Sequence, residues 1–162
     1  PQQEWIINAQ NLRSQGKLDE AADEFRIVAR LTPYDANVYE QLGMIAFAQK
    51  RIDEAISCYE KVVEIKPRDA KTRCNLGLIL VMAGRLDDAV VQYRMAVKCD
   101  AELAAAHAGL GSALARQGNL AEAIAAFREA LRLDPNNQEA MQNLVVALRR
   151  AEAARQQRAP NH

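Results

Sequence analysis

Rings, cysteines and any surplus of one charge are what this chain has least of, and each shortage excludes something. Only 5% of its 162 residues are aromatic although 49% are hydrophobic. Alanine and leucine therefore carry the apolar content, which argues against a thick core and for thin layers of closely approaching helices. The three cysteines, Cys58, Cys74 and Cys99, form no CxxC pair, and neither histidine completes a zinc signature. They read as reduced, helix-packed thiols, so a reducing, cytoplasmic setting is expected and no metal or cofactor is. Twenty-one basic and twenty-one acidic residues cancel, leaving no global field to attract nucleic acid or an acidic membrane. No apolar run approaches the ~18–20 residues that span a bilayer, and no signal peptide is visible. The opening PQQEW lacks a methionine, so a segment excised from a longer protein is expected.

What the chain does have is repetition. NLGLILVMAGRLDDAVVQY at 75–93 is matched thirty-four residues later by GLGSALARQGNLAEAIAAF at 109–127. A shift of 34 aligns four copies, residues 2–35, 36–69, 70–103 and 104–137. Leucine-glycine or its substitute stands at Asn8-Ala9, Leu42-Gly43, Leu76-Gly77 and Leu110-Gly111. A small residue follows at Ala21, Ala55, Ala89 and Ala123, then a ring at Phe25, Tyr59, Tyr93 and Phe127. The copies close on Pro33, Pro67, Ala101 and Pro135. Apolar residues recur at helical spacing in two blocks per copy, parted by QGKLD, QKRID, AGRLD or QGNLA. The pattern predicts helix, turn, helix, four times, with no strand.

Each recurring residue has a physical reason. Small side chains let paired helices approach closely. Gly16, Gly84 and Gly118 stand where a first helix must end and can turn left-handed cheaply. Asp19, Asp53 and Asp87 complement the positive start of the second helix. The prolines stop it, and the rings fill the space between one pair and the next. A single pair cannot bury its own apolar face, so the copies must stack.

Through the series Trp5, Leu12, Ala21, Phe25, Pro33 and its later copies, residues 2–137 resemble four tetratricopeptide repeats. The resemblance implies an all-α, right-handed solenoid of antiparallel helix pairs whose first helices line a concave groove. Asn8, Arg73 and Ala101 depart from the pattern, and Ala101 is expected to loosen the junction between the third and fourth repeats. Residues 138–157 continue the first-helix pattern through Met141, Leu144 and Leu148 and resemble a solvating cap helix, with 158–162 as a frayed tail. No comparable cap precedes Trp5.

No active site emerges. GLG at 109–111 lacks the third glycine of a dinucleotide fingerprint, replaced by Leu114, and no strand precedes it. His107 holds the position of Trp5 and Tyr39, so packing accounts for it, and His162 is terminal. Asp87-Asp88 and Asp19-Glu20 sit at helix starts, where capping and dipole effects explain them. The chain reads as non-enzymatic.

Binding must then carry the function. The resemblance assigns the groove to the second, fifth, sixth, ninth, twelfth and thirteenth residues of each repeat. The candidates singled out from that set are Gln41, Met44, Phe47, Lys71, Asn75, Leu78, Met82, Gly109, Ser112, Arg116, Asn143 and Arg149. The sixth position reads Ile7, Gln41, Asn75, Gly109, Asn143, a broken ladder of amides able to pair with a peptide backbone. Met44, Phe47, Leu78, Val81 and Met82 predict an apolar floor. The small residues around Gly109 predict a pocket for a partner's bulky apolar side chain, with Arg116, Arg149 and Arg150 favouring an acidic neighbour. Gly109→Leu is then expected to fill the pocket without harming the fold. The carboxylate clamp of chaperone-binding relatives is missing, since Glu40, Met44, Ala105 and Gly109 replace its lysine, asparagine, lysine and arginine. The leading expectation is an interaction module holding an extended or helical peptide of a protein partner. Alternatives are a substrate-recruiting or regulatory segment of a larger enzyme, and self-assembly through the uncapped first repeat.

Helix pairing makes one quantitative prediction. Ala89→Leu should overpack the contact between paired helices and lower stability by about 1–3 kcal/mol in thermal or urea unfolding, as should the same change at Ala55 or Ala123.

Overall fold

The computed structural model describes residues 2–158, which among them hold nine α-helices and no strand. The chain divides into two compact units, Pro1–Thr72 and Arg73–His162.

In the first unit, α1 (Gln2–Ser14) pairs with α2 (Leu18–Leu31), and α3 (Ala36–Ala48) with α4 (Ile52–Ile65). Ala9, Ala21, Ala22, Phe25, Val28, Val38, Leu42 and Ile45 form a buried core shared by α1, α2 and α3. A β-carbon added to Gly43 would stand 2.8 Å from the Tyr59 ring, so α3 and α4 touch through a glycine and an aromatic edge. The Gln49 amide donates to Asp19 Oδ1 at 2.8 Å, and Arg26 Nη2 to Glu54 Oε1 at 2.7 Å.

The second unit is built from α5 (Ala70–Met82, whose first residues precede the division), α6 (Leu86–Cys99), α7 (Ala104–Gln117), α8 (Leu120–Leu133) and α9 (Gln138–Arg158). It repeats the same contacts. Gly77 meets Tyr93 and Gly111 meets Phe127, with added β-carbons 2.9 Å and 2.7 Å from the rings. Gln117 donates to Asp87 Oδ1 at 2.6 Å, and Arg94 to Glu122 Oε2 at 2.7 Å. Asp19 and Asp87 therefore hold a neighbouring helix as well as complementing a dipole. Such exposed pairs contribute about 0–1 kcal/mol each; ring burial is the larger effect. Arg73, at the bulky position, is 8% exposed and donates to Gln92 Oε1 at 2.9 Å.

All four turns inside the pairs share one design. A left-handed residue sits at Gly16, Lys50, Gly84 and Gly118, with φ of 76°, 60°, 76° and 85°. Its N–H and the next one donate back to two carbonyls at the end of the first helix, as Gly84 to Val81 and Arg85 to Leu80 do. Between pairs, Asp35 caps α3, Asp69 caps α5 and Asn137 caps α9 through their side-chain oxygens. Leu103 stands at that register before α7 and has no capping side chain. The third junction thus departs from the pattern at Leu103 as well as Ala101. His107 Nε2 lies 2.9 Å from the Ala101 carbonyl there, so this histidine bonds the loop in addition to packing.

Two expectations change. Cys58 and Cys74 are half-buried, but Cys99, the last residue of α6, is exposed rather than packed. Burial pushes the Cys58 thiol up to about 11, which keeps it protonated and unreactive. Arg158 is the last residue of α9 rather than the start of a tail; residues 159–162, His162 included, lie outside the described residues. Helix α9 buries Ala140 and Ala147 against the unit and leaves Met141, Val145 and Leu148 40–50% exposed.

Lys50 is the one described non-glycine residue with positive φ. Lys50→Gly should relieve its crowding against the backbone and raise stability by about 0.5–1 kcal/mol, read as a higher midpoint in urea.

Candidate functional site

Within the second unit, α5, α7 and α9 line a groove of about 610 Å³. α5 and α7 are the first helices of successive pairs, and α9 continues their register. Parallel and successive, they present the same helical face, so residues at one repeat register stand side by side. The fourth repeat supplies every groove position expected of it: Ala105, Ala108, Gly109, Ser112, Ala115 and Arg116. The third repeat contributes Cys74, Asn75, Leu78 and Val81, and α9 contributes Asn143, Val146 and Arg150.

Other candidates lie elsewhere. Met82 is 56% exposed on α5 and Arg149 is exposed on α9, but neither lines this groove. Gln41, Met44, Phe47 and Lys71 belong to the first unit. There Gln41 Oε1 accepts from Arg13 Nη1, Met44 is 44% exposed, and Phe47 is half-buried. The Lys71 backbone N–H is held by Asp69 and its side chain is exposed. The expected apolar floor is also uneven: Leu78 is 50% exposed, whereas Val81 is buried.

The amide ladder is partly available. Asn75 is exposed and has no hydrogen-bond partner among the described residues. Asn143 Nδ2 lies 3.5 Å from Ser112 Oγ, a long contact that a ligand's carbonyl could displace. The arginines are less free than expected. Arg116 donates to the Val81 carbonyl at 3.4 Å and Arg150 to the Ala115 carbonyl at 3.0 Å. Both ends are carbonyl-rich helix C-termini, where a cation is favourable. Their first task is structural, with spare N–H groups left for the groove.

Gly109 overturns an expectation. A β-carbon there would overlap Cε1 of Tyr93 and lie 2.5 Å from Cζ. The space beside Gly109 is filled from beneath by the protein's own ring, so no vacant anchor pocket exists at that point. Glycine is present because the ring passes there, which also explains why the ladder breaks at this position.

The first-helix register misses several wall residues. Tyr93 and Phe127 come from second helices and line the groove from beneath. Asn137, Glu139, Ala140 and Ala147 join them. Glu139 was legible: it stands one repeat after Ala105, at the second position. The two rings carried no such signal, because the repeat pattern places them between helix pairs; for Tyr93 the missing side chain of Gly109 leaves the ring its place. Burial raises the Tyr93 phenol far above its ordinary pKa, with smaller contributions from Cys74 and Glu139. Among the described residues no cluster of His, Cys, Asp or Glu could hold a metal ion, and no helix is long and apolar enough to cross a membrane.

Sequence comparison agrees with this geometry. Two tetratricopeptide-repeat family models match residues 34–102 and 74–138, together spanning 34–138. The chain belongs to the tetratricopeptide-repeat family. Its fold is that of the all-α helical-repeat solenoids, and solved structures agree. The crystal structure of MamA is similar at 20% identity and a TM-score of 0.87, over 93% of this chain and 82% of that one. YrrB, described as a tetratricopeptide-repeat protein with an unusual peptide-binding site, is similar at 24% identity and 0.78, over 91% and 76%. The first repeat domain of Spaghetti (RPAP3), bound to the HSP90 peptide SRMEEVD, is similar at 27% and 0.68, over 70% and 90%. No curated protein matches the sequence significantly.

The Gly109 contact can be tested directly. Alanine has the better helix propensity by about 1 kcal/mol, yet Gly109→Ala should destabilise by about 1–3 kcal/mol because its methyl must displace Tyr93. Denaturant unfolding reads the sign; a more stable variant would contradict the packing.

Proposed function

We propose that this tetratricopeptide-repeat scaffold is a non-enzymatic adaptor that holds an extended peptide segment of a partner protein in the α5–α7–α9 groove. One observation carries the reading: all six register positions of the fourth repeat line a single groove, flanked by Asn75 on one helix and Asn143 on another. Amide side chains both donate and accept, so they suit a main chain whatever its sequence, while Leu78 and Val146 offer apolar contact for side chains. A volume of about 610 Å³ lies within the range of ligand sites. Similarity to proteins described as peptide-binding, YrrB and the RPAP3 domain, supports a peptide as the class of occupant. It does not extend to the HSP90 peptide, because Glu40, Met44, Ala105 and Gly109 stand where a carboxylate clamp needs cations and an asparagine.

Peptides can be selected from a phage-displayed library of random twelve-residue sequences and measured by titration calorimetry. Asn75→Ala and Asn143→Ala should each weaken every selected peptide to a similar degree, by about 0.5–1.5 kcal/mol, with unfolding midpoints unchanged. Losses that depend on peptide sequence, or no losses, would remove the main-chain role.

A further inference from the structure

We propose that the Tyr93 hydroxyl supplies the rung missing from the amide ladder, reaching the groove through the gap left by Gly109 and donating a hydrogen bond to a neutral acceptor such as a peptide carbonyl. This rests on the peptide-binding reading of the same groove and assigns it a polar group from outside the first helices.

Tyr93 makes the ring-to-glycine contact of its own repeat with Gly77, and a second one with Gly109 on α7. The sixth position of the other repeats, Ile7, Gln41 and Asn75, and Asn143 of α9 carry side chains, so Gly109 alone at this register leaves a ring the room of a β-carbon. The ring's Cε1–Cζ edge, the edge that bears the hydroxyl, occupies the volume of the absent Gly109 side chain. Tyr93 is thereby part of the groove wall although only 4% of its surface is exposed. Within this unit the sixth register position reads Asn75, Gly109, Asn143, so the phenol arrives where an amide is lacking. The hydroxyl has no hydrogen-bond partner among the described residues, and it is not buried out of reach of solvent.

The chemistry of the acceptor follows from the surroundings. Burial keeps the phenol protonated throughout the physiological range, so it can donate. Glu139 shares the wall and acts on the same phenol, so an approaching carboxylate would meet like charge. A carbonyl would not. Asn75, Tyr93 and Asn143 would then contact successive parts of one extended main chain.

The test uses individual synthetic peptides recovered from the phage library, titrated into the wild-type protein and into Tyr93→Phe, Asn143→Ala and Tyr59→Phe. Phenylalanine keeps the ring against Gly77 and Gly109 and removes only the oxygen. The expected result is a loss of about 3- to 10-fold for Tyr93→Phe, a loss for Asn143→Ala, and no change for Tyr59→Phe. A loss for Asn143→Ala with Tyr93→Phe within twofold of wild type would overturn the Tyr93 assignment and leave the groove standing. Selection of no peptide, or peptides indifferent to both changes, would overturn both. Should Tyr93→Phe fail to fold, wild-type protein carrying ¹³Cζ-tyrosine settles the matter: bound peptide should shift the Tyr93 signal and not that of Tyr59, and an unmoved Tyr93 signal would refute the proposal.

Discussion

The contact between an aromatic ring on one helix and a glycine on its neighbour governs the rest of this structure. Tyr59 lies on Gly43, Tyr93 on Gly77 and Phe127 on Gly111, each so close that a methyl group could not be added without moving the ring. Phe25 and Ala9 occupy the corresponding positions in the first pair, and both are fully buried. Large rings against the smallest residues give two helices a short separation and a deep overlap at once. That combination explains how a chain with only 5% aromatic residues buries enough surface to fold. Ala21, Ala55, Ala89 and Ala123 are fully buried on the second helices for the same reason.

Polar contacts then follow the spacing that packing imposes. Bonds recur at fixed sequence separations: 30 for Gln49–Asp19 and Gln117–Asp87, 28 for Arg26–Glu54 and Arg94–Glu122, and 35 for Arg116–Val81 and Arg150–Ala115. Singly, these exposed or half-buried bonds contribute only about 0–1 kcal/mol each. Together they constrain the register of each helix against the next, because a slip of one residue would break bonds of every class. The arginine bonds also place cations on helix C-termini beside the groove, so packing, rather than ligand charge, sets where Arg116 and Arg150 point.

Most of the fold was legible because it is periodic. The 34-residue shift located the helix pairs and the glycine turns, since each needs a particular residue at a particular offset. It missed the caps at Asp35, Asp69 and Asn137. The capping expected at Asp19 and Asp87 is not made, because the N-cap residues of those second helices are Lys17 and Arg85, with no side-chain cap. Lys50 shows the limit: its neighbours impose a left-handed turn that its own side chain disfavours, so tertiary context overrides local propensity. The candidate groove was legible only through the repeat resemblance. That resemblance assigned the six positions of the fourth repeat that line the groove, and the same register reaches Glu139. It could not show that Gln41 is engaged by Arg13, or that Arg116 serves a helix end, because those depend on side-chain reach rather than on position. Glycine at 109 was the deepest ambiguity. A missing side chain looks the same in a sequence whether the space belongs to a ligand or to the protein's own ring.

That ambiguity has a structural consequence. A first-helix residue normally faces either the groove or the partner helix, and the two roles are kept apart by the helical period. At Gly109 they meet, because without a β-carbon the backbone no longer separates the layers. Tyr93 can thus be a core residue, held by Gly77, and a wall residue of the groove in the same conformation. Its rotamer is fixed by packing on both sides, so a group it offers to a ligand is already in place before binding and costs little ordering entropy to use. An asparagine at 109 would provide a polar group too, but on a mobile side chain open to water. Recruiting the tyrosine exchanges that freedom for rigidity, and it ties the groove's chemistry to the ring-on-glycine contact that holds the helix pairs together.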